Sequence, residues 1–325
     1  MEERSVDSSS PLGTSYEPRS APDGLTNATN HISVCICTYK RPRLLKRLLG
    51  ELADQETGGL FTYSIVVADN DYLRSAEALV SDFAARSTVP VTYCVEPQQS
   101  IALARNMALN SAVGDFVAFI DDDEFPIKHW LASLFKACHR YDADGVMGPV
   151  LPYFDERPPG WVVKGRFYER RTYSTGHMIT WLQGRTNNVL LKKAVLIGEE
   201  QPFRPEFRTG EDQDFFRRMI SKGREFVWFD EAVAYEVVPP IRWSRSFMLR
   251  RALLRGAVAP LHPTFGAREV AKSLVAVPAY AIALPFALVL GHHRFMNLLI
   301  RLCDHLGKLL ALAGICLIKQ PYVTE

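Results

Sequence analysis

The run FVAFIDDDEFP, residues 116–126, passes from mostly apolar residues into three aspartates and a glutamate before a proline closes it. Adjacent carboxylates repel one another. A chain that places Asp121, Asp122 and Asp123 at the end of an apolar segment therefore implies something that neutralises them. A hard divalent cation, Mg²⁺ or Mn²⁺, takes oxygen ligands and bridges to substrate phosphates. An acidic turn capping the helix that begins near His129 would use the same residues with no ligand, and the run alone supports both readings equally. Two further carboxylates stand in comparable places. Asp69 closes the apolar run YSIVVADN, either as a strand-end ligand or as a turn residue beside Asn70 and Asp71. In GEDQDFFRRMI, helical spacing puts Phe215, Phe216, Met219 and Ile220 on one face. Asp212 continues that buried stripe, whereas Asp214 falls on the other side and pairs with Arg218 in solvent. A carboxylate aimed into a crevice is what a general base requires. Acidic residues at a helix start also suit its positive end without any chemistry.

Positioning these groups falls to strands and helices in alternation. ISVCICTY is a β-branched apolar run, as for a strand buried on both faces. In RPRLLKRLLGEL, Leu44, Leu45, Leu48, Leu49 and Leu52 share one helical face. Strand YSIVVADN, helix SAEALVSDFAAR, strand VTYCVEP, helix SIALARNMALNSA and strand DFVAFIDDD follow, then helix HWLASLFKACHRY and strand GVMGPVLPYF. The pattern predicts an α/β fold, a mostly parallel sheet with flanking helices. Ligands of such sheets bind beyond the carboxyl ends of the strands, where Asp69 and the three aspartates fall. After Tyr153 the rhythm becomes loop-like, then resumes with strand TNNVLLKKAVLI, helix GEDQDFFRRMISKG and strand EFVWFDEAVAYEVV.

The balance of 38 basic against 36 acidic side chains gives no strong field, so nucleic acid is not implied. Cys35, Cys37, Cys94, Cys138, Cys303 and Cys316 form no CxxC pair and read as reduced core residues of a cytosolic compartment. Residues 1–30, rich in Ser, Pro and charge, read as a disordered leader without a secretory signal. In the tail, residues 246–325, no residue between Lys272 and Arg294 carries a formal charge. That run is of transmembrane length but holds Pro278 and Pro285. The segment after it is amphipathic, punctuated by Arg301, Asp304 and Lys308. Membrane contact is favoured over a helical pair packed on the domain, because the uncharged run exceeds an ordinary core helix.

Taken together and in order, SVCICTYKRP, IVVADND, IALARNMAL, GDFVAFIDDDE and GEDQDFF resemble the inverting nucleotide-diphospho-sugar transferases of glycosyltransferase family 2, over about residues 31–245. PPGWV and EVVPPIR are similar to segments of bacterial exopolysaccharide glucosyltransferases. The resemblance implies a GT-A fold and a metal-dependent hexosyltransferase. Its donor would be a nucleotide-diphospho-sugar, a UDP-sugar. Its acceptor would be a saccharide, lipid-linked if the tail meets the membrane surface, at the cytoplasmic face of the plasma membrane. It further implies that Thr38 and Tyr39 contact the base, that Asp69 hydrogen-bonds uracil and that Arg105 helps hold the nucleotide. Asp121 would lie near the ribose, Asp123 would ligate Mg²⁺ or Mn²⁺ in a D-x-D pattern, and Asp212 would be the base. PPIRWSRS holds Arg242 and Trp243 without the glutamine of the Q-x-x-R-W pattern, which implies single addition rather than polymerisation. Where many relatives carry a histidine near the diphosphate, this chain has Tyr235 and Glu236. Arg242 is either a phosphate contact or the partner of Glu236. His177 is either structural or catalytic, and Asn187 and Asn188 either read sugar hydroxyls or satisfy a turn. A non-catalytic nucleotide-sugar-binding scaffold of the same fold is the alternative, and an intact Asp212 argues against it. A nucleotidyltransferase would need a Gly-rich loop that CTYKRPRLL lacks.

Overall fold

In the computed structural model, which describes residues 30–207, 209–261, 265–315 and 317–318, the alternation expected from the sequence is continuous. β1 (Asn30–Thr38), α1 (Pro42–Ala53), β2 (Phe61–Asp69), α2 (Glu77–Ala84), β3 (Val91–Val95), α3 (Ile101–Ser111) and β4 (Phe116–Phe119) come first. Then follow β5 (Glu124–Pro126), α4 (Trp130–Arg140), β6 (Gly145–Met147), β7 (Val150–Tyr153), α5 (Gly160–Gly165), β8 (Val189–Lys192) and α6 (Glu211–Ser221). β9 (Phe226–Trp228), β10 (Ala234–Val237), α7 (Arg245–Val258), α8 (Ala267–Val289) and α9 (His292–Leu312) complete the order. Residues 1–29 of the expected leader, and Cys316, lie outside the described residues; Cys35, Cys37, Cys94, Cys138 and Cys303 are free thiols.

A seven-stranded sheet has the order β3-β2-β1-β4-β8-β6-β9. β1, β2, β3 and β4 run parallel, and β8 is antiparallel to both its neighbours. The chain winds outward from β1 in one direction through β2 and β3, then crosses to β4 on the other side. The strand ends of β1 and β4 thus flank the switch point at which sheets of this kind open a crevice. Helices close both faces. The five leucines of α1 are buried, and Pro42 starts that helix at a position where its missing N–H costs nothing.

Two segments that read as single strands are each divided between sheets. GVMGPVLPYF breaks at Gly148 and Pro149, so β6 stays in the large sheet while β7 joins a small one of order β5-β10-β7. Gly148 is pressed so closely on Ala232 that a Cβ would stand 2.1 Å from its carbonyl oxygen. EFVWFDEAVAYEVV divides likewise into β9 and β10. The small sheet covers the end of β4 and carries the chain back to the crevice.

The tail is not a separate layer. Met296 on α9 is buried in a cluster with Val162, Val238, Trp243 and Met248, so α9 spends its apolar face on the domain. α8 packs on α9 and leaves Val275, Ile282, Phe286 and Val289 exposed at 70%, 70%, 69% and 89%. α7 and α9 cross where Gly256 meets Gly307; a Cβ on Gly256 would stand 2.1 Å from the Asp304 carbonyl oxygen. Gly256→Val should force the helices apart and destabilise the fold by about 2 kcal/mol, the usual scale of overpacking. Gly50→Ala, in the middle of α1 with nothing within 4 Å of the new methyl, should stabilise by about 0.5–1 kcal/mol. Thermal unfolding of both variants checks the pair, and equal midpoints would show that the crossing is not tight.

Candidate active site

Thr38 ends β1 opposite Asp69 at the end of β2, and both side chains turn into protein. Asp69 is fully buried. Its carboxylate accepts from the Asp71 and Ala76 amides at 3.1 and 2.8 Å and from the Tyr93 hydroxyl at 2.9 Å. Burial raises its pKa against these three donors, which lower it. Asp69 therefore organises the loop after β2. Thr38 Oγ1 donates to Asp122 Oδ2 at 2.8 Å, tying β1 to the aspartates across the switch point. Tyr39 is half-buried at the crevice edge, with Lys40 Nζ 5.1 Å from its ring centre.

The aspartates divide in role. Asp122 and Asp123 are buried, not part of an exposed acidic loop. Arg41 Nη1 donates to Asp122 Oδ1 at 2.9 Å and to Asp123 Oδ2 at 3.4 Å. Arg242 Nη2 donates to Asp123 Oδ2 at 2.7 Å, and its Nη1 donates to Glu236 Oε1 at 2.8 Å. The choice left open for Arg242 is thus settled as to its present partners: it bridges Glu236 and Asp123. Asp121 is the accessible member, 39% exposed at its side chain and 3.8 Å from Arg105. Glu124 is buried and accepts from Asn187 Nδ2 at 2.7 Å. Burial pushes the carboxyls of Asp121, Asp122 and Glu124 up, with Asp123 adding repulsion to each, while Arg105 opposes the shift at Asp121 and Arg41 at Asp122. The cluster is short of positive charge, and Asp121 is where solvent-borne charge can reach it.

Arg105, from α3, pairs with Glu211 at the start of α6. Asp212 follows, half-buried, its Oδ1 accepting only from the Gln213 amide at 2.7 Å. Asp212 and Asp121 line one cavity of about 680 Å³ with Arg105, Arg170, Asn187 and Glu236. The placement of Asp212 at a crevice agrees with the sequence reading, but the reason given there does not. The buried residues of α6 are Glu211, Asp214, Phe215, Phe216 and Met219, with Asp212 only half-buried beside them. Asp214 is the buried acid, accepting from Arg218 Nε at 2.8 Å and Arg217 Nη2 at 3.1 Å. Its pairing with Arg218 agrees with the sequence reading, whereas its burial corrects the solvent placement expected there.

His177 stacks on Tyr173, centroids 4.6 Å apart, and its Nε2 lies 3.2 Å from Gln183 Oε1, a structural arrangement. Asn188, at φ 82°, receives Trp130 Nε1 at 2.7 Å and donates to the carbonyls of Pro149 and Ala232, so it stitches the two sheets. Arg41, Arg170, Glu211 and Glu236 were passed over as site residues. Arg170 sits in FYERRTY, where the density of arginine near aromatics was the available signal.

Among the described residues no three His, Cys, Asp or Glu side chains stand together as a metal cage. Asp121 and Asp123 carry oxygen donors of the type that Mg²⁺ or Mn²⁺ takes, although Arg41 and Arg242 both occupy Asp123 Oδ2.

The family model described as glycosyl transferase family 2 matches residues 33–195. The succinoglycan biosynthesis protein ExoM of Rhizobium meliloti (strain 1021) is 33% identical over 235 residues, 71% of this chain and 75% of that one. The chain belongs to glycosyltransferase family 2. Its fold is shared with the mannosyltransferase PcManGT of Pyrobaculum calidifontis in complex with GDP-Man and Mn²⁺, with a TM-score of 0.56 at 17% identity over 87% of this chain and 88% of that one. S. aureus TarS in complex with UDP-GlcNAc superposes with a TM-score of 0.50 at 15% identity over 89% and 93%. The chain is thus a glycosyltransferase of GT-A-like fold, and its relative places that fold in exopolysaccharide synthesis. The family match encloses Thr38, Tyr39, Asp69, Arg105, Asp121 and Asp123 but ends before Asp212 and Arg242.

Because Asp214 is buried among arginines, Asp214→Asn should destabilise the fold by about 3 kcal/mol, the scale of breaking a buried ion pair. Asp212→Asn, which gives up no ion pair, should leave the unfolding midpoint in urea almost unchanged. A silent Asp214→Asn would show that Arg218 draws its stability from Glu199 instead.

Proposed function

We propose that this chain transfers a single hexose, with inversion, from a UDP-sugar to a hydroxyl of a lipid-linked saccharide, using Mg²⁺ or Mn²⁺, at the cytoplasmic face of the plasma membrane. The observation that carries the reading is that Asp121 and Asp212, from different elements, line one cavity with Arg105, which also pairs with Glu211 next to Asp212. The complexes of the neighbours with UDP-GlcNAc, and with GDP-Man and Mn²⁺, support the class of donor and of cation.

Asp212, lacking an ion pair among the described residues, accepts the proton of the acceptor hydroxyl as that oxygen attacks the anomeric carbon. Attack from the face opposite the diphosphate inverts the centre in one displacement. Arg105 and Arg242 lie on the side where the leaving diphosphate gathers negative charge, and fixed guanidinium groups there need no reorganisation. Asp121 and Asp123 would hold the cation, which would supply charge neutralisation for the leaving diphosphate. Thr38 and Tyr39 border the base, and Asp69 holds the loop after β2 against it. Glu236, in place of the family histidine, is committed to Arg170 and Arg242.

Asp212→Asn should keep UDP affinity and lower kcat by about 10²–10⁴, the usual worth of general-base assistance. Turnover near that of the unmodified chain would place the base elsewhere. EDTA should abolish transfer and Mn²⁺ restore it; full activity in EDTA would remove the cation from this reading. The membrane face is the exposed side of α8, which is long and apolar enough to cross a bilayer, 11% of its most apolar stretch being buried. Ending the chain at Gly266 would strip α9 from Trp243 and Met248, so the intact chain is the proper test. Ile282→Glu, Phe286→Glu and Val289→Glu together should move it from the membrane pellet to the soluble fraction with its thermal midpoint kept.

A further inference from the structure

The cavity does not end at Asp121 and Asp212. It continues to a wall supplied by α7 and α9, and its lining as a whole holds seven arginines against four carboxylates. Four of those arginines are already paired: Arg105 with Glu211, Arg166 with Glu169, Arg170 with Glu236, and Arg255 with Asp304. Arg185, Arg251 and Arg301 make no ion pair or hydrogen bond among the described residues. Two of the three also stand among like charges. Crowding by the cavity walls, then Arg170 beside Arg185 and Arg242 beside Arg251, pushes both guanidinium pKa values down, against the pull of Asp212 on Arg185 and of Glu236 on both. Thr186, next to Arg185 in the same wall, is 1% exposed, and its Oγ1 has no hydrogen-bond partner among the described residues. Three exposed, unpaired guanidinium groups lining one cavity are complementary to an anion rich in acceptor oxygens, and phosphate suits the guanidinium fork best.

We propose that Arg185, Arg251 and Arg301, with Thr186, form a binding site for the diphosphate of the lipid-linked acceptor, distinct from the donor diphosphate site beside Asp121 and Arg105. The assignment rests on the sugar-transfer reading given above. Its direction comes from the helices. Arg301 lies on α9, which packs along α8, the helix with the exposed apolar face. An amphiphile resting on that face presents its phosphates to α9 first and its sugar deeper in the cavity, toward Asp212.

The test uses the intact chain saturated with UDP, into which inorganic pyrophosphate is titrated by calorimetry. Pyrophosphate should bind beside UDP, and Arg251→Ala and Arg301→Ala should each weaken it by about tenfold or more, the scale of one lost charge-assisted contact. Both variants should keep UDP affinity, and neither should lower the thermal midpoint, because neither side chain gives up a partner. No pyrophosphate binding once UDP is bound, or binding that both variants retain, overturns the site. Loss of UDP affinity in the variants assigns these arginines to the donor and overturns it equally. A second arm compares flotation with phosphatidylglycerol and phosphatidylcholine vesicles. Equal flotation of the variants and the unmodified chain supports an acceptor site, whereas loss of phosphatidylglycerol binding in Arg251→Ala assigns the arginines to bilayer headgroups instead. Failure of UDP to bind the unmodified chain overturns the uridine-donor reading, and pyrophosphate binding to the unliganded chain and its loss in both variants then decide this site; UDP binding without pyrophosphate binding overturns this site alone.

Discussion

Four consecutive carboxylates can sit at one strand end only because arginines from distant parts of the chain meet them there. Arg41 comes from the turn after β1, Arg105 from α3, Arg170 from the loop after α5, and Arg242 from the approach to α7. The small sheet sharpens the problem, since β10 and β5 pair with Glu236 directly opposite Glu124. Like charges in that position destabilise a ladder. Arg170 and Arg242 take up Glu236, and Asn187 takes up Glu124, which makes the pairing tolerable. Removing one partner from such a buried set costs about 3–5 kcal/mol. The loop after α5, the small sheet and the entry to α7 are therefore fixed by the needs of the aspartates.

Much of the large sheet was legible because local pattern and tertiary burial agree there. β1 reads as apolar throughout and is buried on both faces, and α1 repeats leucine at helical spacing against one layer. Asp69 and the three aspartates could be placed because strand ends in an alternating pattern have one destination, the switch point, whereas Arg105 was named only through the family resemblance. The reading failed where the deciding partner lay far away in sequence. On α6, spacing from the phenylalanines points to Asp212, and Asp214 is buried instead because Arg217 and Arg218 close over it. Arg242 could be named as a phosphate contact or a partner of Glu236, but its contact with Asp123 crosses 119 positions and leaves no local trace. The division of GVMGPVLPYF is a different failure. Gly148 and Pro149 are a turn signal in plain view, overridden by the apolar residues on either side.

In the tail, composition does not show which side of an amphipathic helix meets protein. α9 has the charge punctuation of an interfacial helix, yet Met296 and its neighbours are spent on Trp243 and Met248. α8 exposes Val275, Ile282, Phe286 and Val289, which no other part of the described residues covers. The prolines at 278 and 285 lie inside α8 without ending it.

The same stacking joins the tail to the chemistry. Trp243, which α9 helps cover, adjoins Arg242, the residue that bridges Asp123 and Glu236. α7 begins two residues later and carries Arg251 to the cavity, while Gly256 lets α9 approach closely enough to bring Arg301 to the same wall. A bulkier residue at that crossing would shift α9 outward and separate Arg301 from Arg251. The glycine contact therefore sets the spacing of the arginines as well as the packing of the helices. In this arrangement α8, α9 and α7 are packed in series behind the arginine wall, so the spacing of those arginines and the Arg242 bridge depend on the same helix contacts.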